Sequence, residues 1–134
     1  MSAIESKRYA IGTEVQLSFD EAVEKVTAAL KEEGFGVLTT IDVQKTLKEK
    51  LDVDRPRYLI LGACNPGYAN QALQAEPQIG VLLPCNVVVY EEGDKTRVVA
   101  MDPQAALQLA DNPEIEPVAR EVRARIERVI ASLG

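Results

Sequence analysis

With 134 residues, of which 46% are hydrophobic and 27% charged, the chain is long enough for one domain with its own core and too apolar for a disordered tail. Its formal charge of -6 opposes a nucleic-acid backbone, and its nearest approach to a basic patch, Lys45, Lys48, Lys50, Arg55 and Arg57, is interrupted by Glu49, Asp52 and Asp54. The lack of histidine removes the commonest general base, the usual catalytic zinc ligand and every Ser-His or Cys-His pair, which argues against a hydrolase of familiar design.

From Tyr9 to Leu17 the odd positions are apolar or β-branched and Arg8, Glu14 and Gln16 fall between them, so a half-buried strand is expected. Ser18 and Glu21 have capping-box spacing and open a helix with the stripe Ala22, Val23, Val26, Ala29 and Leu30, which Gly34 ends. GFGVLTTI alternates Phe35, Val37, Thr39 and Ile41 as a second strand. Asp42 caps a short helix from Val43 to Leu51. PRYLILGAC, apolar on both parities, reads as a third strand, central or covered on both sides.

Asn65 and Pro66 suit the N-cap and first turn of a helix that runs to about Glu76, where Pro77 stops it. A hairpin follows from about Val81, with its turn on Glu92 and Gly93. That turn sets Val89 opposite Thr96, Val87 opposite Val98 and Cys85 opposite Ala100, and faces Cys85 inward. Asp102 and Pro103 begin a helix to about Ala110, and Asn112 and Pro113 open the last one. Its stripe is Ile115, Val118, Ala119, Val122, Ile126, Val129, Ile130 and Leu133, with Glu121 and Arg125 paired outside. The order predicts a single domain of the α+β class, a mainly antiparallel five-stranded sheet covered by helices.

No Walker loop or GxGxxG occurs, and Glu91, Glu92 and Asp94 read as a solvated turn. The start, MSAIESKRYAIG, has no apolar stretch before a small-residue cleavage site, and no run approaches bilayer length; a cytoplasmic protein with reduced thiols is expected. The candidate site is the pair of Cys-Asn motifs. Asn65 is expected to accept a bond from the N–H of Gly67 or Tyr68. Cys64, one residue earlier, sits by the positive end of the helix dipole, which favours thiolate. Cys85 faces inward, and the amide of Asn86 is out of character in an apolar strand and needs partners if covered.

Antiparallel pairing of the third and fourth strands would bring both thiols to one end of the sheet. Cys64 and Cys85 then suit a soft ion such as Cu(I), a reversible disulfide, or half of a four-thiolate zinc site completed by a second subunit. Three functions follow: a small-ligand or soft-metal binding module using Cys64, Asn65, Cys85 and Asn86, a thiol redox protein or enzyme, or a structural domain whose motifs only cap and pack. The sequence names no cofactor. A homodimer is expected, because few helices are available to shield the apolar third and fourth strands; neither nucleic acid nor membrane is an expected partner.

GACNPGYANQAL followed by IGVLLPCNVVVYEE resembles the bacterial and archaeal domain of unknown function 302 family. The matching positions are Gly62, Cys64, Asn65, Pro66 and Ala69, then Gly80, Leu83, Pro84, Cys85 and Asn86, then Asp102 and Pro103, and the likeness runs from about Tyr9 to the last helix. It implies an antiparallel sheet with helices, similar in topology to the TATA-binding-protein-like group and often dimeric, and it implies no activity. Likeness to a DNA-binding fold does not imply DNA binding.

Overall fold

The computed structural model describes residues 5–134, with side chains from Lys7 onward. Ser18 and Glu21 form the predicted capping box at the head of α1, Phe19–Glu32: Glu21 N–H donates to Ser18 Oγ and Ser18 N–H to Glu21 Oε1, both at 3.2 Å. Ala22, Val26 and Leu30 are buried, joined by Phe19. Gly34, at φ 88°, supplies the left-handed turn beyond the helix. α2 spans Val43–Leu51 and is capped by Asp42, which accepts from Lys45 N–H at 2.9 Å.

The five expected strands are all present: β2 Ala10–Val15, β3 Gly36–Asp42, β4 Tyr58–Cys64, β5 Cys85–Glu92 and β6 Lys95–Met101. A two-residue strand, β1 at Glu5–Ser6, joins them in the order β1-β2-β6-β5-β4-β3, and every pairing is antiparallel. This α+β architecture is compatible with the TATA-binding-protein-like topology that the resemblance implies.

One face of the sheet is covered. Val87, Val89, Val98, Ala100, Leu61 and Ile11 are at most 2% exposed. They share one core cluster with α1 and with α5, Glu116–Leu133, whose predicted stripe is buried at every position. α3, Pro66–Ala75, and α4, Pro103–Leu107, pack against α5. The alternate residues Tyr58, Ile60, Val88, Tyr90 and Val99 are half-buried, and β4 holds the expected central place in the sheet, between β5 and β3, with α2 against it.

The hairpin differs from expectation by one residue in its turn. Glu92 pairs with Lys95, Val89 with Val98 and Val87 with Ala100, and Cys85 pairs with Ala63 of β4. The loop is therefore Gly93-Asp94, because a two-residue hairpin of the II′ kind needs positive φ at its first central position and Gly93 provides it, at 64°. Moving the turn by one residue shifts the partners by two, which preserves the parity and keeps Cys85 inward.

Residues 77–82 form a 3-10 segment, and β5 starts only at Cys85 rather than near Val81. Pro77 and the bonds Ile79 N–H to Glu76 O and Leu83 N–H to Gly80 O tie this stretch into tight turns. In β3 the expected alternation breaks at a register shift between Val37 and Thr39. Phe35 and Val37 lean toward the core, Leu38 bulges out, and Thr39 and Ile41 point to the open face, so the predicted single stripe is split.

Candidate functional site

Cys64 ends β4 and Cys85 begins β5, and the pairing of Ala63 with Cys85 brings them to the same end of the sheet. Both are free thiols, Cys64 partly exposed and Cys85 buried. They line one apolar recess of about 30 Å³ at the head of α3, walled by Phe35, Asn65, Tyr68, Leu83 and Pro84, with Val118 and Val122 of α5. A space of this size holds an ion or a water-sized group or two and no organic substrate. Burial, and secondarily the neighbouring Cys64, pushes the Cys85 thiol up to about 11. At neutral pH it keeps its proton.

Asn65 occupies the N-cap position of α3, but its side chain caps nothing. Its Nδ2 instead donates to the backbone carbonyl of Glu33 at 3.3 Å, beyond the C-terminus of α1. Arg125 Nη1 donates to the same oxygen at 2.9 Å, while its Nη2 reaches Tyr68 Oη at 3.4 Å and its guanidinium lies 5.3 Å from the Tyr68 ring centroid. The expected Arg125–Glu121 pair is also present, at 3.2 Å. The expected cap is thus replaced by a clamp: α1, α3 and α5 meet at Glu33, and Asn65 and Tyr68 turn the clamp into a wall of the recess.

Asn86 is not in this recess. It is exposed on the opposite face of the sheet, paired with Gly62 of β4. Strand alternation forces this separation, since adjacent residues of a strand point to opposite faces. The structure thus brings Cys64, Asn65 and Cys85 together and leaves Asn86 out. Tyr68 and Arg125 were missed because their roles depend on contacts across 57 and 92 positions of sequence, and no local pattern signals such contacts. Among the described residues no group of three or more His, Cys, Asp and Glu side chains could hold a metal ion. A larger depression, of about 340 Å³, lies between Gln104 and Ala119, is lined by Gln108, Asp111 and Glu116, and contains neither cysteine. Among the described residues no helix is long and apolar enough to cross a membrane.

An antiparallel sheet packed with helices, with its two Cys-Asn motifs at one end, defines a small α+β domain class. The sequence profile described as Domain of unknown function DUF302 matches residues 11–133, and the chain belongs to that family. It is similar to a solved structure described as the crystal structure of an uncharacterized conserved protein DUF302 from Bacillus stearothermophilus. The two are 28% identical with a TM-score of 0.87, over 93% of this chain and 98% of the other. No curated protein matches the sequence.

Proposed function

We propose that the domain is a thiol-based binding module and that the recess takes a soft ion such as Cu(I) between Cys64 and Cys85. The observation that supports this reading is that two free thiols from separate strands line the same small apolar recess. Cu(I) prefers thiolate ligands and accepts low coordination numbers, whereas a structural zinc site asks for four ligands. Binding one Cu(I) replaces both thiol protons, so two protons leave and the bound unit carries a single negative charge. A proton must leave the buried Cys85, which makes affinity rise with pH. A cytoplasmic, reducing setting is part of this reading, because it keeps both thiols available.

The test is anaerobic titration of the reduced protein with Cu(I) against a chromogenic chelator, with a parallel count of alkylatable thiols. One Cu(I) per chain is expected, with the partly exposed Cys64 protected from iodoacetamide, and Cys64→Ser and Cys85→Ser are each expected to abolish binding. The reading fails if the chelator keeps all the metal, or if Cys64→Ser and Cys85→Ser bind as the parent does.

A further inference from the structure

The two cysteines are also spaced for a chemistry that needs no metal. Ala63 of β4 pairs with Cys85 of β5, and Cys64 stands one residue further along. Directly opposed residues of antiparallel strands have Cα atoms about 4.5–5.5 Å apart, and one residue adds about 3.4 Å along the strand, so the Cα atoms of Cys64 and Cys85 are about 6 Å apart. Disulfides form across about 4.4–6.8 Å. Strand alternation by itself would turn Cys64 away from Cys85, but β4 ends at Cys64, where the chain leaves the sheet for α3, and both cysteines border the same recess.

Access gives the two thiols different roles. Cys64 is partly exposed and Cys85 is buried. Across the ladder from Cys64, β3 presents Gly36, and a Cβ built there would meet nothing within 4 Å, so that position carries no side chain and stands open. The recess itself, about 30 Å³, is too small for an organic disulfide, so a reagent of that kind meets Cys64 and not Cys85.

We propose that Cys64 and Cys85 close a reversible disulfide, with a low-molecular-weight disulfide as oxidant, Cys64 entering the exchange and Cys85 completing it. The Cys64 thiolate attacks one sulfur of the reagent RSSR; that S–S bond breaks, one RS⁻ leaves with the electron pair, and Cys64–S–S–R forms. Cys85 then gives up its proton and attacks Sγ of Cys64, which expels the second RS⁻. Two protein thiols are oxidised, one RSSR is reduced, and the two thiol protons end on two RSH. The new bond takes both sulfurs out of use as ligands, so oxidation closes the recess to Cu(I) and reduction reopens it. Bond formation needs no copper; only its effect on ion uptake rests on the binding proposed above.

Metal-free reduced protein incubated with oxidised glutathione, quenched in acid and mapped by peptide mass spectrometry tests the pairing. An internal Cys64–Cys85 bond is expected, and both thiols return on reduction. Cys85→Ala is expected to stop with one glutathione on Cys64, and Cys64→Ala to leave Cys85 unmodified, with circular dichroism checking the fold of each. The proposal is overturned if the parent, at excess oxidised glutathione, keeps both thiols free, stops at the mixed disulfide or forms bonds only between chains. It is also overturned if folded Cys64→Ala takes up glutathione on Cys85 as fast as Cys85→Ala does on Cys64. A second arm adds Cu(I) to the oxidised parent and to the same sample after reduction and desalting. Uptake is expected only after reduction; a reduced parent that takes up none sinks the copper reading and leaves the disulfide standing, whereas an oxidised parent that still binds Cu(I) overturns the closure.

Discussion

Adding one methyl group at Gly62 tests how tightly the sheet is closed beside the first Cys-Asn motif. The Cβ of Gly62→Ala would stand 2.1 Å from Thr39 Oγ1, 3.0 Å from Pro84 Cγ and 3.5 Å from Thr39 Cβ. The first contact is impossible without movement, and overpacking of this kind costs about 1–3 kcal/mol. Alanine recovers about 0.5–1 kcal/mol of the backbone entropy that glycine gives up in a strand. The net expectation is a loss of about 1–2 kcal/mol, or about 4–7 °C in Tm for a chain of 134 residues.

Thr39→Ala removes the clashing oxygen and leaves its Cβ at an ordinary 3.5 Å, with only Pro84 Cγ still close at 3.0 Å, so it is the designed partial rescue. Urea unfolding followed by circular dichroism on the parent, both single variants and the double variant closes a thermodynamic cycle. The double variant should be at least about 1 kcal/mol more stable than additivity requires. Strict additivity, or a Gly62→Ala protein as stable as the parent, would refute the close approach of Thr39 and Gly62.

The buried Cys85 thiol makes stability fall in alkali. Its folded pKa, about 11, exceeds the usual value of 9.0, so the contribution is fully present below pH 9.0 and is lost as pH rises through about 11. The loss is on the order of 2–3 kcal/mol, and chemical denaturation across that window should show a shallower slope for Cys85→Ala. Asn65→Ala should cost about 1 kcal/mol in urea unfolding, because Arg125 still satisfies the Glu33 carbonyl when the amide is lost. A loss near 3 kcal/mol would mean that Arg125 does not hold that oxygen alone.

Periodicity made the elements legible and long-range contacts made the exceptions. The α5 stripe was readable in full, because eight positions at helical spacing leave a single face to bury. Ser18 and Glu21 were readable because a capping box is local. The inward face of Cys85 survived a misplaced turn, since parity tolerates an error of two. By contrast, the bulge at Leu38 has no mark in GVLTTI; it arises where β3 must pair with Gly62 and pack Phe35 at the same time. Asn65 carried the composition of a cap, yet the Glu33 carbonyl, folded alongside it by Gly34, competes for its amide. The two Cys-Asn pairs look equivalent in sequence. Strand alternation and a helix start divide them: one asparagine builds the recess wall and the other leaves for the open face.

The bulge at Leu38 also bears on how the chain behaves at high concentration. β3 is an outer strand of seven residues, rich in threonine and branched apolar side chains and free of lysine and proline, the composition that templates strand addition and fibril growth. The register break between Val37 and Thr39 interrupts its outward row of N–H and C=O groups, so an incoming strand finds no long straight ladder to extend. An irregularity of one residue thus acts as a gatekeeper against aggregation, and it does so at an edge that has no charged side chain before Asp42.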